Sequence, residues 1–409
     1  MKDSLQICVM GLGYIGLPTA SLLATKGHKV LGVDVISEVV DTINRGDIHI
    51  VEPELDVLVR SAVNSKNLVA SLEPAEADVF IIAVPTPFRE GHQANAPRPD
   101  ISYVEDASRK IAPVVKRGDL VILESTSPVG TTERVAAILA AERADLMENG
   151  RLAVYVAHCP ERVLPGQILR ELVDNDRVVG GVNPAATEAA VGFYRTFVRG
   201  EVIPTDSRTA ELTKLTENSF RDVNIAFANE MSIICQQLGI NVWELIKLAN
   251  RHPRVDILRP GPGVGGHCLA VDPWFIVSSA PEAARLIRTA REVNVSKEHW
   301  VVEKVKGRAQ RFRNPVVACL GLAYKPDIDD VRESPAMAIA QALNEAPDIT
   351  VLAVEPNLHE VDGMTLADLS AALEQADIIV GLVSHREFRS IDPAALKEKV
   401  VIDTCGIFP

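Results

Sequence analysis

Short apolar runs recur through the first half of the chain, at residues 6–10, 29–33, 79–83, 120–123 and 153–156. Each leaves room for a helix before the next begins. Runs that are apolar on both faces read as strands buried on both sides, and alternation with helices predicts a doubly wound parallel sheet. In the middle of the chain the period changes. Between Asp206 and Gly239, the residues Leu212, Leu215, Val223, Phe227 and Met231 fall at helical spacing, with Asp206 and Ser207 as caps and Gly239 as a stop. The pattern predicts one long helix, a second over about 242–250 and a third over about 281–307. The strand rhythm then returns at 315–320, 349–354, 378–382 and 400–403. The expected fold class is α/β: two Rossmann-like doubly wound parallel-sheet domains, 1–205 and 308–409, joined by a central helical domain, 206–307, that carries the long helix.

Composition narrows what such a chain does. At 409 residues, 47% hydrophobic and 24% charged, it has enough apolar material for two or three packed cores. No apolar run approaches the ~18 residues of a membrane span. The chain passes into its first strand with no basic leader, so a cytoplasmic location is expected. A formal net charge of −13 argues against nucleic-acid partners. It also means that any anionic ligand must meet locally concentrated cations. Cysteines stand at 8, 159, 235, 268, 319 and 405, with no CxxC pair and no spacing that suggests a metal. That usage fits a reducing compartment.

Gly11-Leu12-Gly13-Tyr14-Ile15-Gly16 directly follows the first strand and opens a helix, and Asp34 stands at the end of the second strand. Glycines at these spacings allow a tight turn, close approach of backbone to a pyrophosphate and close helix–strand packing. An acid after the second strand accepts from ribose hydroxyls and repels a 2′-phosphate, so the cofactor expected is NAD. The loops after the next two runs, with Thr86 and Thr126, end at the same edge of the sheet and should line the same crevice. A Pro-braced turn with no ligand is the competing reading of each.

Four glycines and a proline precede Cys268 in Gly261-Pro262-Gly263-Val264-Gly265-Gly266-His267-Cys268, and Asp272 follows one helical turn later. A cysteine behind such an open backbone reads as a nucleophile, whereas the other five lie in or beside apolar runs; Cys159, in Cys-Pro-Glu, is the one to watch. On the long helix, Lys214, Asn218 and Arg221 fall on one face. A solvated polar stripe is the alternative there.

Together these stretches, with 84–88, 124–130, 159–167, 250–275 and 321–335, resemble the UDP-glucose/GDP-mannose dehydrogenase family over nearly the whole chain. The resemblance implies a four-electron oxidation of a UDP-sugar at its C6 alcohol, through a thiohemiacetal and a thioester on Cys268. Lys214 is then the general acid/base or oxyanion partner, Asn218 polarises oxygen, and Asp272 positions water and lysine. Glu161 and Thr126 match positions that handle the hydrolytic water. The UDP-sugar is lined by Arg162, Val163, Lys214, Asn218, Arg221, His252, Arg254 and Gly265, with Lys325 holding it from the last domain and Arg332 reaching the cofactor.

Gly321 lacks a complete GxGxxG around it, so the last domain is expected to take the UDP part alone. The segment 159–166 departs from the more acidic stretch of the UDP-glucose enzymes; Pro165 offers no side-chain proton there. With Asn250-Arg251-His252-Pro253-Arg254 it favours an N-acetylated hexosamine and, through that substrate, bacterial surface-polysaccharide synthesis. The resemblance also implies a homodimer or higher homo-oligomer through the central helices. The alternatives are oxidation of UDP-glucose or UDP-N-acetylglucosamine and a UDP-sugar sensor without turnover. A two-electron hydroxyacid dehydrogenase would share the first domain but have no use for Cys268.

Overall fold

A computed structural model of the protein describes residues 4–89, 97–164, 166–266 and 268–408; Pro165 and His267 lie outside the described residues. The chain divides into two compact units, Met1–Thr216 and Glu217–Pro409.

In the first unit the elements run β1 (Gln6–Met10), α1 (Gly16–Thr25), β2 (Lys29–Val33), α2 (Ser37–Asn44), α3 (Leu55–Asn64), β3 (Leu68–Ser71), β4 (Val79–Ile82), α4 (Ser102–Ile111) and β5 (Leu120–Leu123). They continue with α5 (Thr131–Glu142), a short hairpin of β6 (Met147–Glu148) and β7 (Arg151–Leu152), β8 (Tyr155–His158), α6 (Ile168–Asp174), β9 (Arg177–Gly181), α7 (Pro184–Tyr194) and β10 (Val202–Asp206). Eight strands form one sheet in the order β10-β9-β8-β5-β4-β1-β2-β3. Alternation along β1 explains the double-sided burial. Ile7 and Val9 enter one core, with Leu17, Leu23 and Leu55, while Cys8 and Met10 enter the other, with Val104, Ile111 and Val135.

The sheet is mostly parallel, as expected, but β8 and β9 pair antiparallel. β3, β9 and β10 give no clear signal in the apolar pattern. β3 and β10 are edge strands with exposed positions, where one face needs no apolar residue. β8 begins later than the expected 153, because the Ala153 amide donates to the Leu146 carbonyl and its own carbonyl accepts from Gly118 N, both at 2.8 Å.

The long helix exists as α8 (Ser207–Leu238), with Asp206 Oδ1 accepting from Thr209 N at 2.9 Å and Gly239 at φ +69° beyond its end. Its apolar stripe is only partly buried. Leu215 is inside, whereas Leu212 and Phe227 are exposed. The helix crosses the boundary between the units.

The second unit continues with α9 (Val242–Ala249), α10 (Asp272–Ser279), α11 (Arg285–Ala309), β11 (Val316–Leu320), α12 (Pro335–Asn344), β12 (Thr350–Val354), α13 (Leu369–Gln375), β13 (Ile378–Gly381) and β14 (Val400–Asp403). The four strands are parallel, in the order β12-β11-β13-β14. Val317 and Cys319 enter one core and Ala318 and Leu320 the other, repeating the logic of β1. No helix among the described residues is long and apolar enough to cross a membrane.

Candidate functional site

In the first unit, β1 is flanked by β2 on one side and β4 on the other. Connections reverse there, and a crevice opens beyond the carboxyl ends of the strands. The Gly11–Gly16 turn occupies that point. Gly11 has φ +90°, and a side chain on it would press on the Ala83 carbonyl oxygen at 2.6 Å. A side chain on Gly16 would overlap the Gly11 carbonyl, while one on Gly13 would meet nothing within 4 Å. The turn is therefore closed toward the sheet and open above, and Ile15 brings no side-chain cap to the start of α1.

Asp34 accepts from Leu12 N at 3.0 Å through Oδ2 and from Ile36 N at 3.1 Å through Oδ1, and it stays half-exposed beside the turn. Thr86 donates to the Thr126 carbonyl at 2.6 Å, and Ser125 to that of Val84 at 2.7 Å, which joins the loops after β4 and β5. Gly11, Gly13, Tyr14, Ile15, Asp34, Thr86 and Thr126 thus stand in loops at the carboxyl end of this sheet, and Gly16 opens α1 there. They fit a dinucleotide: a side-chain-free turn at Gly13 for the pyrophosphate and a carboxylate for the ribose. At the start of α5 the amides of Gly130 and Thr132 are taken by Glu211, which accepts from both.

A buried polar cluster sits under the ends of β5 and β8. Glu161, almost fully buried, accepts from Arg177 Nη1 at 2.6 Å and from Arg162 N at 2.7 Å. Its backbone carbonyl accepts from the Lys214 ammonium. Glu124 accepts from Tyr194 Oη at 2.7 Å. Burial, reinforced by Glu161, pushes Glu124 up to about 7, although Arg177 and Tyr194 oppose the shift. Burial likewise pushes the Cys159 thiol up to about 12 and makes it inert. Arg162 and Val163 follow on the same loop, half-buried.

In the second unit, the glycine loop is shaped by what it lies against. A side chain on Gly263 would press on Pro335 Cβ at 2.9 Å, one on Gly265 would overlap the Glu333 carbonyl, and Gly266, at φ +82°, faces the Tyr324 ring. Asn229 of α8 accepts from Gly261 N at 2.8 Å and donates to Asn294, which in turn donates to Asp222 at 2.8 Å. Asp222 also takes Arg291 at 2.7 Å, with both side chains buried. This chain of bonds holds the loop to α8 and α11.

Cys268 is exposed, and its carbonyl accepts from Asp272 N at 2.9 Å just ahead of α10. The Asp272 carboxylate accepts from Asn218 Nδ2 at 2.6 Å. Lys214 and Asn218 follow one another by a turn on α8. Arg221, His252 and Arg254 are exposed; Lys325 is half-buried, its ammonium 5.9 Å from the Tyr324 ring. Arg332 is held by both oxygens of Asp330, at 2.9 and 2.7 Å.

Sequence reasoning missed Arg177, Glu124, Tyr194, Glu211, Asp222, Arg291 and Asn294. Each is a polar residue in a helix or strand, or in the case of Glu124 just past the end of β5, whose neighbours come from far along the chain. The only local signal is a polar or charged group placed where the period calls for an apolar side chain.

Sequence profiles of the UDP-glucose/GDP-mannose dehydrogenase family match three consecutive segments: the NAD binding domain over residues 5–198, the central domain over 208–296 and the UDP binding domain over 318–409. The NDP-N-acetyl-D-galactosaminuronic acid dehydrogenase of Ralstonia nicotianae is 58% identical over 414 residues, covering 99% of this chain and 97% of that protein. The UDP-N-acetyl-D-mannosamine dehydrogenase of Salmonella typhi is 56% identical over 419 residues, covering 98% and 99%. The solved structure of the UDP-D-ManNAc dehydrogenase from Pyrococcus horikoshii matches with a TM-score of 0.87 at 41% identity, covering 99% and 96%.

Proposed function

The chain belongs to the UDP-glucose/GDP-mannose dehydrogenase family, and from that premise we propose that it oxidises UDP-N-acetyl-D-mannosamine at C6, from alcohol to carboxylate, to give UDP-N-acetyl-D-mannosaminuronic acid. The Gly11–Gly16 turn and Asp34 would hold NAD, and two NAD bound in turn would each accept one hydride, which balances the four electrons. Once the alcohol has become an aldehyde, Cys268 Sγ adds to C6 and its proton passes to the carbonyl oxygen, giving a thiohemiacetal. That adduct carries the hydroxyl that a bare aldehyde lacks, so it can be oxidised again, to a thioester on Cys268. Water then adds at C6, the C–S bond breaks with return of the proton to sulfur, and the carboxylate leaves.

The exposure of Cys268 behind the glycine loop carries this reading, since four of the other cysteines are buried and Cys405 is half-buried. Lys214 and Asn218 stabilise negative charge on the substrate oxygen, and Asp272 fixes the Asn218 amide. Thr126 and Glu161 are assigned to the hydrolytic water. With its carboxylate on Arg177, Glu161 contributes through the carbonyl that holds Lys214. Arg162, Val163, Arg221, His252, Arg254, Gly265 and Lys325 are assigned to the UDP-sugar and Arg332 to the cofactor. The three functional domains are assigned to 1–205, 206–307 and 308–409.

Phe220, Phe227 and Ile234 recur at seven-residue intervals on α8, and all are exposed. They support a homodimer in which that stripe is covered by its copy. A cytoplasmic setting suits six dispersed cysteines with no CxxC pair.

The Ralstonia relative supports a second reading, in which the sugar is N-acetylgalactosamine. Incubation of the purified protein with separate UDP-sugars decides between them. UDP-N-acetylmannosamine is expected to yield two NADH per sugar, with UDP-glucose at least ~10-fold slower in kcat/KM. Faster turnover of UDP-N-acetylgalactosamine would establish the second reading, and one NADH per sugar would refute the thioester route.

A further inference from the structure

A cavity of 690 Å³ lies within the second unit, with Ser232, Trp243, Arg259, Lys297, Trp300 and Lys304 in its lining. Its size falls in the ~300–1,000 Å³ range of small-molecule sites. Its charge is lopsided. Three cations share the lining with one carboxylate, Asp403, and that carboxylate is already engaged by the amides of Cys405 at 3.1 Å, Gly406 at 2.7 Å and Phe408 at 2.9 Å.

Lys297 is the telling member. It is only 2% exposed, its ammonium donates to Ser232 Oγ and stands 4.3 Å from the Trp300 ring centroid, and among the described residues no carboxylate pairs with it. Lys304 approaches the same ring at 5.0 Å, and Arg259 lies 5.4 Å from the centroid of Trp243. Indole faces and a hydroxyl thus hold the cations in place, and the one opposing charge in the lining, Asp403, acts on Lys304 and not on Lys297. A buried ammonium without an opposing charge is unfavourable. Burial, with Lys304 nearby, pushes Lys297 down to about 7.

We propose that this cavity binds a phosphate-bearing anion of nucleotide size, at a site separate from the UDP-sugar. A dianionic phosphate supplies the charge that the three cations lack, and it accepts hydrogen bonds from all of them. None of Asn218, Arg221, His252, Arg254, Gly265 and Lys325, the residues of this unit assigned to the UDP-sugar, lines the cavity. The site therefore goes beyond the dehydrogenase reaction.

The chain has three tryptophans, and two of them line this cavity. In full-length protein carrying Trp274→Phe, indole fluorescence therefore reports on Trp243 and Trp300 alone. Titration with inorganic pyrophosphate at constant ionic strength is expected to give a saturable change. Lys297→Met in the same background should weaken it at least ~10-fold. That substitution removes a buried charge at nearly constant volume, and thermal melting checks the fold; Lys304→Gln serves as a second variant and should also weaken the response. Oxidation of the UDP-sugar by Lys297→Met is expected to be unchanged, which separates failure of this site from failure of the dehydrogenase assignment. An absent response, or a response that Lys297→Met and Lys304→Gln retain in full, would overturn the proposal.

Discussion

The two sheets begin with the same corner and use it differently. At the end of β1, Gly11 has φ +90° and its amide donates to the Val33 carbonyl at 2.8 Å; at the end of β11, Gly321 has φ +93° and its amide donates to the Val354 carbonyl at 2.8 Å. The next amide in each corner finds the acid that follows the neighbouring strand, Leu12 to Asp34 at 3.0 Å and Leu322 to Glu355 at 2.7 Å.

There the likeness ends. Asp34 remains half-exposed. Glu355 is buried, and it also accepts from Ala323 N, from the amide and side chain of Asn357, and lies 3.1 Å from the Nε2 of the fully buried His385. One acid keeps lone pairs available to a ligand, while the other is saturated by its own protein and latches a loop. Loop and strand geometry can thus be shared while function is decided by whether the acid is left unsatisfied. A second dinucleotide has no ribose acceptor in the second corner, in keeping with the match of that segment to a UDP binding domain.

Substitutions at the glycines should separate the corners most sharply. Gly16→Val fills the space of the Gly11 carbonyl and is expected to raise KM for NAD by ~100-fold or more. Gly321→Val meets Val383 at positive φ, and its main effect should be a stability loss of about 3–5 kcal/mol in denaturant melts.

The acids come next. Asp34→Asn should weaken NAD by ~10-fold, read as KM, with little change in Tm. Glu355→Gln breaks a buried charged network and should cost about 3 kcal/mol or more in stability, while KM for NAD stays the same. Equal effects on NAD from both substitutions would erase the distinction.

pH sharpens it further. Burial alone would raise Glu355, but bonds from His385, Leu322 N and Asn357 N outweigh it and hold the carboxyl at about 2, below the ordinary 4.5. A depressed carboxyl contributes stability that is present above 4.5 and lost as pH falls toward 2. Glu124 behaves oppositely. Raised to about 7, it contributes stability that is present below 4.5 and lost as pH rises through 7. In Tm-against-pH curves, Glu355→Gln should flatten the acid limb and Glu124→Gln the neutral limb.

Much of the first corner is legible in the sequence, because Gly11, Gly13, Gly16 and Asp34 answer to one local geometry at fixed spacing. β1, β2 and β5 fall where apolar runs place them, since a strand inside the sheet leaves few polar positions to blur its ends, and the edge strand β14 is marked by its own run of Val400, Val401 and Ile402. Edge strands β3 and β10 do not announce themselves. Nor does the Glu355–His385 latch, whose members are brought together only by folding. The Cys268 loop is intermediate: its glycines signal close approach, but that Tyr324, Glu333 and Pro335 are what it approaches follows from tertiary contact alone.

Whether Cys268 carries the substrate between two oxidations is read from the NADH yield of Cys268→Ala. Wild-type protein should form two NADH per UDP-N-acetylmannosamine. The variant should form at most one, with turnover to the carboxylate reduced ~1,000-fold or more. Formation of two NADH per sugar by Cys268→Ala at a rate near the wild type's would contradict the account.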